Sequence, residues 1–160
     1  MSKIEFINGN SIIELHQAFK QIENLSNSYP GFYDWYWNKV TPGINSGTNE
    51  LIMGLFKNEL VGISIIKKGE EKKLCALRVN DKFKNRGYGL HMLDESLKRL
   101  GIDKPLCSVS EDMINDYSRI FVNRYDFDLS HVYKGLYRKG KLEYEFNGGK
   151  TLTEKTLYGL

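Results

Sequence analysis

The chain has 160 residues, of which 41% are hydrophobic and 27% charged, a balance that supports one packed domain and argues against a disordered polymer. Its net charge of +3 is too small to argue for a nucleic-acid surface, no apolar run nears the ~20 residues that span a bilayer, and Met1–Asn8 lacks the charged-then-apolar pattern of a secretion signal. The two cysteines, Cys75 and Cys107, match no metal or redox spacing, so a reduced, cytoplasmic setting is expected.

In chain order, Lys3–Ile7 alternates and reads as a strand. Ser11-Ile12-Ile13-Glu14 is a capping-box pattern, opening a helix to about Asn24 with Ile12, Leu15, Phe19 and Ile22 on one stripe. Pro30 suits the first turn of a second helix, rich in aromatics from Phe32 to Trp37. Thr41-Pro42-Gly43 is read as its stop, and Ile44–Asn49 as a loop. Glu50–Phe56, Leu60–Lys67 and Lys73–Val79 are then three strands in meander. Arg86–Leu100 is a helix with Leu90, Leu93, Leu97 and Leu100 on one face and Gly101 at its C-cap. Leu106–Val109 is a short strand and Met113–Arg124 a helix with Ile114, Tyr117, Ile120 and Phe121 as its apolar side. His131–Tyr137 and Leu142–Phe146 make a closing hairpin. The order implies a mixed α/β fold, mostly antiparallel, with helices on both faces of the sheet. One domain over residues 1–147 is expected, followed by a polar tail over 148–160.

The informative stretch follows the third meander strand. Val79 ends the strand, Lys84-Asn85-Arg86-Gly87-Tyr88-Gly89 forms a basic, glycine-bearing turn, and a helix begins. A helix N-terminus exposes unpaired N–H groups and a partial positive charge, so such a turn favours a phosphate. Glycines at 87 and 89 permit close approach of the backbone, while Lys84 and Arg86 add charge. A dinucleotide fingerprint would need a third glycine where Met92 stands, and no Gly-Lys-Ser/Thr exists for a triphosphate loop.

The segment resembles the signature of the GNAT superfamily of N-acyltransferases, Arg/Gln-x-x-Gly-x-Gly/Ala after a strand, with Lys84 in the first position. Asn115, Ser118, Phe121 and Phe127 match a second family pattern downstream, and the element order agrees from about Lys3 to Asn147. The resemblance implies an N-acetyltransferase that moves an acyl group from acetyl-CoA directly to an amine of a small molecule or protein. By it, Lys84, Asn85, Arg86, Gly87, Tyr88, Gly89 and Leu90 would hold the coenzyme A pyrophosphate. Leu77 and Val79 would pair with the pantetheine arm as an added strand. Asn115 and Ser118 would face its thiol end, and the thioester would lie where the strands at Lys73–Val79 and Leu106–Val109 splay apart. An amine-bearing acceptor is the expected partner, and a homodimer is compatible with the sequence.

The reaction needs a base, because neutralising a lysine-like amine at pH 7 costs about 4.6 kcal/mol at ~1.36 kcal/mol per pKa unit. It also needs an N–H dipole on the developing oxyanion, for which a backbone amide near Leu77–Val79 is the candidate. A glutamate used by relatives falls near Lys73, which cannot take that role while charged. Glu111, just beyond the Leu106–Val109 strand, is the expected replacement; as a plain helix-start carboxylate beside Asp112 it would have no chemical role. The family's tyrosine acid falls on Val122. These two departures keep a second reading open, a catalytically weak acyl-CoA-binding or sensing module. An RNA-borne acceptor is a third reading, suggested only by the basic balance. His16, His91 and His131 lie on different elements, so no metal is expected. The aromatics of Tyr29–Trp37 are read as core, or as walls of an acceptor pocket.

Overall fold

The structure, a computed structural model, describes residues 3–149. The predicted tail therefore lies, beyond its first two residues, outside the described part.

Strand β1 (Glu5–Asn8) leads into α1 (Ile12–Ile22). The capping box forms: the Ser11 hydroxyl accepts the Glu14 N–H at 3.2 Å, and the Glu14 carboxylate accepts the Ser11 N–H at 3.1 Å. Leu15, Ala18, Phe19 and Ile22 are buried, while Ile12 is 75% exposed. The buried stripe thus follows i, i+3, i+4, i+7 from Leu15 and excludes the first turn.

The second helical region is longer than its sequence suggested. It runs through α2 (Phe32–Trp35), a π-helical stretch (Tyr36–Val40) and α3 (Thr41–Ser46). Pro42 does not stop it: it sits in the first turn of α3, directly after the π-helical stretch whose last bond runs from the Thr41 N–H to the Tyr36 carbonyl. The stop is Gly47, at φ +87°. At the other end, Gly31 at φ +80° precedes the helix, so Pro30 lies outside it.

Strands β2 (Asn49–Phe56), β3 (Glu59–Lys67) and β4 (Lys73–Val79) extend β1 into an antiparallel sheet of order β1-β2-β3-β4. Lys57 and Asn58, both at positive φ, make the two-residue turn between β2 and β3. After α4 (Tyr88–Leu100) and β5 (Cys107–Ser110), α5 (Ile114–Ser118) continues through a π-helical stretch (Arg119–Arg124). Strands β6 (Leu129–Lys134) and β7 (Leu142–Phe146) then complete a second antiparallel sheet of order β5-β7-β6. The strand expected over His131–Tyr137 is shifted, since Gly135 and Gly140, both at positive φ, place the intervening residues in a loop.

Both sheet faces are covered. Leu51, Met53, Ile63 and Ile65 pack with α1 and the second helical region, and Ile52, Ile66 and Leu74 with α4, Phe121 and Phe146. Burial on both faces explains why β2 and β3 read as nearly continuous apolar runs. A polar pin crosses one of these layers: the Ser64 and Ser96 hydroxyls meet at 2.6 Å, and Ser96 donates to the Met92 carbonyl at 2.7 Å.

Candidate active site

Among the described residues, backbone pairing joins the two sheets at one place. Lys73 and Leu106 form a parallel bridge, with the Leu74 N–H donating to the Leu106 carbonyl at 2.9 Å and the Leu106 N–H to the Lys72 carbonyl at 3.1 Å. Beyond it, no ladder joins β4 to β5 among the described residues, and the strands part.

A bulge in β4 decides what faces this gap. Ile66 pairs with Leu74 but Ile65 with Ala76, so Cys75 is an extra residue. Cys75 and Ala76 both pack on the α1 side, while Leu74 and Leu77 both pack on the α4 side. Past the bulge the Asn80 N–H donates to Val61 of the β3 strand at 2.7 Å. Strand alternation then turns Val79 and Leu77 toward the gap and Arg78 toward β3. Without the extra residue, Leu77, three positions after the outward Leu74, would have pointed its N–H at β3 instead.

Beyond β4, the Asn80 side chain accepts the Lys82 N–H at 3.1 Å and Asp81–Phe83 make a tight turn. Buried Phe83 anchors it against Tyr88, with ring centroids 5.8 Å apart. Asn85 and Gly87 are left-handed, at φ +62° and +82°, and α4 starts at Tyr88 rather than at Arg86 because Gly87 breaks the helical path. No side chain caps this start. The helix's positive end and first-turn amides are therefore directed at the turn. A Cβ on Gly87 would meet no atom within 4 Å, so the space above it is open. Lys84 through Gly87 are exposed beside the start of α4. Lys84 is held by Asp81 at 2.8 Å, an ion pair whose hydrogen bond and charge keep the exposed Asp81 carboxyl below the usual range.

Between β4 and β5 lies a cavity of about 370 Å³. Tyr29, Phe32 and Trp35 wall it from one side, Met113, Tyr117 and Phe121 from the other, and Tyr137 from the β6–β7 loop. The aromatic cluster therefore divides: Tyr36 is core, its hydroxyl donating to the Leu15 carbonyl at 2.5 Å, whereas Tyr29 and Trp35 reach the cavity. Behind the wall, Glu143 on β7 is only 4% exposed and accepts the Tyr29 hydroxyl at 2.8 Å. Burial raises the Glu143 carboxyl, against the opposing pull of Tyr29, the neighbouring Ser108 hydroxyl, and the Arg138 and Lys73 charges. Burial, with the adjacent carboxylate, pushes the Tyr29 hydroxyl up as well. Tyr117 is raised by burial, with Arg78 and Lys84 acting against it. Cys75 and Cys107 also line the cavity, and burial pushes their thiols up to about 11 and about 12, so neither is a thiolate near neutral pH.

The other sequence candidates fall elsewhere. Glu111 does not line the cavity; its carboxylate accepts the Leu142 N–H at 2.6 Å, extending the β5–β7 pairing. Asn115 is exposed and Ser118 half-buried, because α5 turns Met113, Tyr117 and Phe121, spaced four apart, to the cavity. Val122 is 45% exposed. Sequence reasoning missed Tyr29 with Glu143 and the cavity-facing Tyr117. No sequence signal marked Glu143, since the Leu142–Phe146 alternation reads both of its glutamates as the polar face, whereas in the structure Glu143 is buried.

No family model and no curated protein matches this sequence. Solved structures do. An assigned GNAT-family acetyltransferase from Desulfovibrio desulfuricans superposes with a TM-score of 0.68 at 15% identity, over 90% of this chain and 97% of that one. A GNAT-family acetyltransferase from Bacillus cereus gives 0.63 at 16% identity, over 94% and 99%. A GNAT-family acetyltransferase from Elizabethkingia anophelis, solved with acetyl-CoA bound, gives 0.58 at 13% identity, over 89% and 95%. Across nearly its whole described length, this chain has the fold of the GNAT acetyltransferases.

Proposed function

We propose that the protein is an acetyl-CoA-dependent N-acyltransferase acting on an amine. The observation that carries this is the succession of three features along β4 and the turn that follows it: a cavity backed by a buried carboxylate, an unpaired strand edge, and an anion-directed turn. The first-turn amides of α4, with Lys84, Asn85 and Arg86, would take the pyrophosphate. The Leu77 and Val79 backbone would pair with the pantetheine amides and set the thioester in the opened gap. One of these N–H groups would also face the carbonyl oxygen as it gains charge.

In the transfer, the amine nitrogen attacks the thioester carbon, the C–S bond breaks, and an amide and coenzyme A form. Glu143 is better placed than Glu111 to receive the amine's proton, since it is joined to the cavity wall through the Tyr29 hydroxyl, whereas the Glu111 carboxylate is engaged by a backbone N–H. Tyr29 can relay that proton, passing its own to Glu143 and taking the amine's in return. The leaving thiolate is a modest base, with a pKa near ~8.5, and the protonated Tyr117 hydroxyl is the acid available from the α5 wall. The binding-only reading drew on Val122 and on the missing strand glutamate; against it stand Tyr117, which lines the cavity, and Glu143, which backs it through Tyr29.

The test is thiol release from acetyl-CoA in the presence of an amine collection. Turnover that depends on an amine and falls in Tyr29→Phe supports the reading. Tight coenzyme A binding with no amine-dependent thiol release would leave the binding-module alternative standing.

A further inference from the structure

At the closed end of the cleft stands a cation where the chemistry calls for a base. Lys73 begins β4 at the bridge to Leu106, lines the cavity and is half-buried. Alternation from Leu74, which packs on the α4 side, puts Lys73 on the same face as Cys75 and Ala76, the side that carries Tyr29. Its ammonium has no hydrogen bond or ion pair among the described residues, and neither has that of Lys67 opposite it on β3, but Lys67 does not line the cavity; the other cation that does, Arg78, faces Asp81 at 3.9 Å. Its charge is nonetheless felt by Cys75, Cys107 and Glu143, three groups around the cavity.

An ammonium on a cavity wall with no counter-ion of its own is open to an anion brought by a ligand, which it would meet with a charge-assisted hydrogen bond. Two further charged residues line the cavity, and both are ion-paired, Arg78 with Asp81 and Asp112 with Arg138, while Glu143, behind the wall, already has the Tyr29 and Ser108 hydroxyls and sits two strands away, across β5. The acceptor end is therefore bipolar, with a free cation on β4 and a buried carboxylate, reached through a hydroxyl, on β7. Its remaining walls are mostly aliphatic and aromatic, and about 370 Å³ must hold both the acyl end of the donor and the acceptor. We infer that the acceptor is a compact amine carrying a carboxylate, an amino acid with an apolar or aromatic side chain, whose carboxylate is bound by Lys73 while its amine faces Tyr29 and Glu143. This rests on the acyl-transfer reading above and adds the substrate class to it.

The experiment compares matched acceptors with the full-length protein and acetyl-CoA: phenylalanine with phenethylamine, tyrosine with tyramine, leucine with isoamylamine. Thiol release gives kcat and KM, and calorimetry gives the coenzyme A Kd and the binding of each acceptor to the coenzyme A complex. The carboxylate-bearing member of each pair should have a kcat/KM at least ~10-fold higher, mostly through KM, in line with one charge-assisted contact. Lys73→Gln should bring that ratio near one and weaken amino-acid binding, while the coenzyme A Kd stays unchanged. A wild-type preference for the decarboxylated amines, or a preference for amino acids that survives in Lys73→Gln, overturns the inference. If coenzyme A binds and neither member of any pair binds or reacts, the acceptor assignment falls and the donor reading stands. If coenzyme A itself does not bind, the acyl-transfer reading falls, and this inference with it.

Discussion

Glu143 and Tyr29 show how a single side chain acquires a role from its surroundings. On β7 the residue is one of two glutamates in an alternating strand, and its register opposite Ser110 turns it inward. Burial then holds its carboxyl above the ordinary range, where a carboxylate is a stronger base than in water. As a base it should lose ~10²–10⁴-fold in turnover when changed to Gln, with little effect on the coenzyme A Kd. Its stability effect has the opposite sense. A raised folded pKa gives a contribution that is complete below the unfolded value, ~4.3, and is lost as pH rises through the folded value. Glu143→Gln removes that neutral-pH penalty, so the variant should melt above the wild type at pH 7, with the gap closing toward pH 4. Melting curves of both proteins across that range check it, and a variant less stable at pH 7 than at pH 4 relative to wild type would refute the assignment. Tyr29 and Glu143 lie 114 residues apart, and no local pattern announces that pair. The turn at Lys84–Leu90 was legible for the opposite reason, since every group in it comes from seven consecutive residues.

At the scale of elements, the decisive feature is the bulge at Cys75. Strand β4 itself could be read from its apolar, β-forming run, as could α1 from its cap and α4 from its leucine spacing and Gly101. A one-residue register shift leaves no mark in such a run, because it depends on how β3 and β4 pair. The continuation of the second helical region past Thr41-Pro42 was obscured by a residue that can either end or begin a helix. The bulge makes a direct prediction for amide hydrogen exchange. The Leu77 and Val79 amides should exchange readily in the free protein, Arg78 slowly, and coenzyme A should slow the first two by at least ~10-fold. Protection of Leu77 and Val79 in the free protein, equal to that of Arg78, would place the bulge elsewhere.

A second element-level device clamps this sheet to α4. Glu50 on β2 accepts from Lys68 at 2.7 Å and from Arg99 at 2.5 Å, and Arg99 also reaches Glu95 at 2.8 Å and the Asn8 side chain. Partial burial opposes ionisation of Glu50, but hydrogen bonds from Lys68 and Arg99 outweigh it and hold the carboxyl below the usual range. Its contribution is therefore present above the unfolded value and lost as pH falls through the folded one. Glu50→Gln should cost about 1.5–3 kcal/mol at pH 7, the range for hydrogen bonds to charged groups, and progressively less below pH 4. Denaturant midpoints at pH 7 and pH 3.5 test this, and an equal loss at both would assign the effect to packing rather than charge.

For the whole molecule, the fold joins three features that are each weak alone. A helix start attracts anions in many proteins, an unpaired strand edge invites an added strand, and an aromatic cavity accepts small molecules. Here the turn leads into the edge and the edge into the cavity, in the order of a phosphate, an amide-bearing arm and a reactive end. Coenzyme A has that order, and NAD does not. The most direct measurement is a calorimetric and thermal titration of the wild type and of Gly87→Glu with coenzyme A, with NAD as the control. At about 100 times its Kd, coenzyme A should stabilise the wild type by ~2.7 kcal/mol, NAD should give no shift, and Gly87→Glu, folded but with a carboxylate over the turn, should bind neither. A folded Gly87→Glu that binds coenzyme A as the wild type does, or a wild type indifferent to millimolar coenzyme A, would contradict the account.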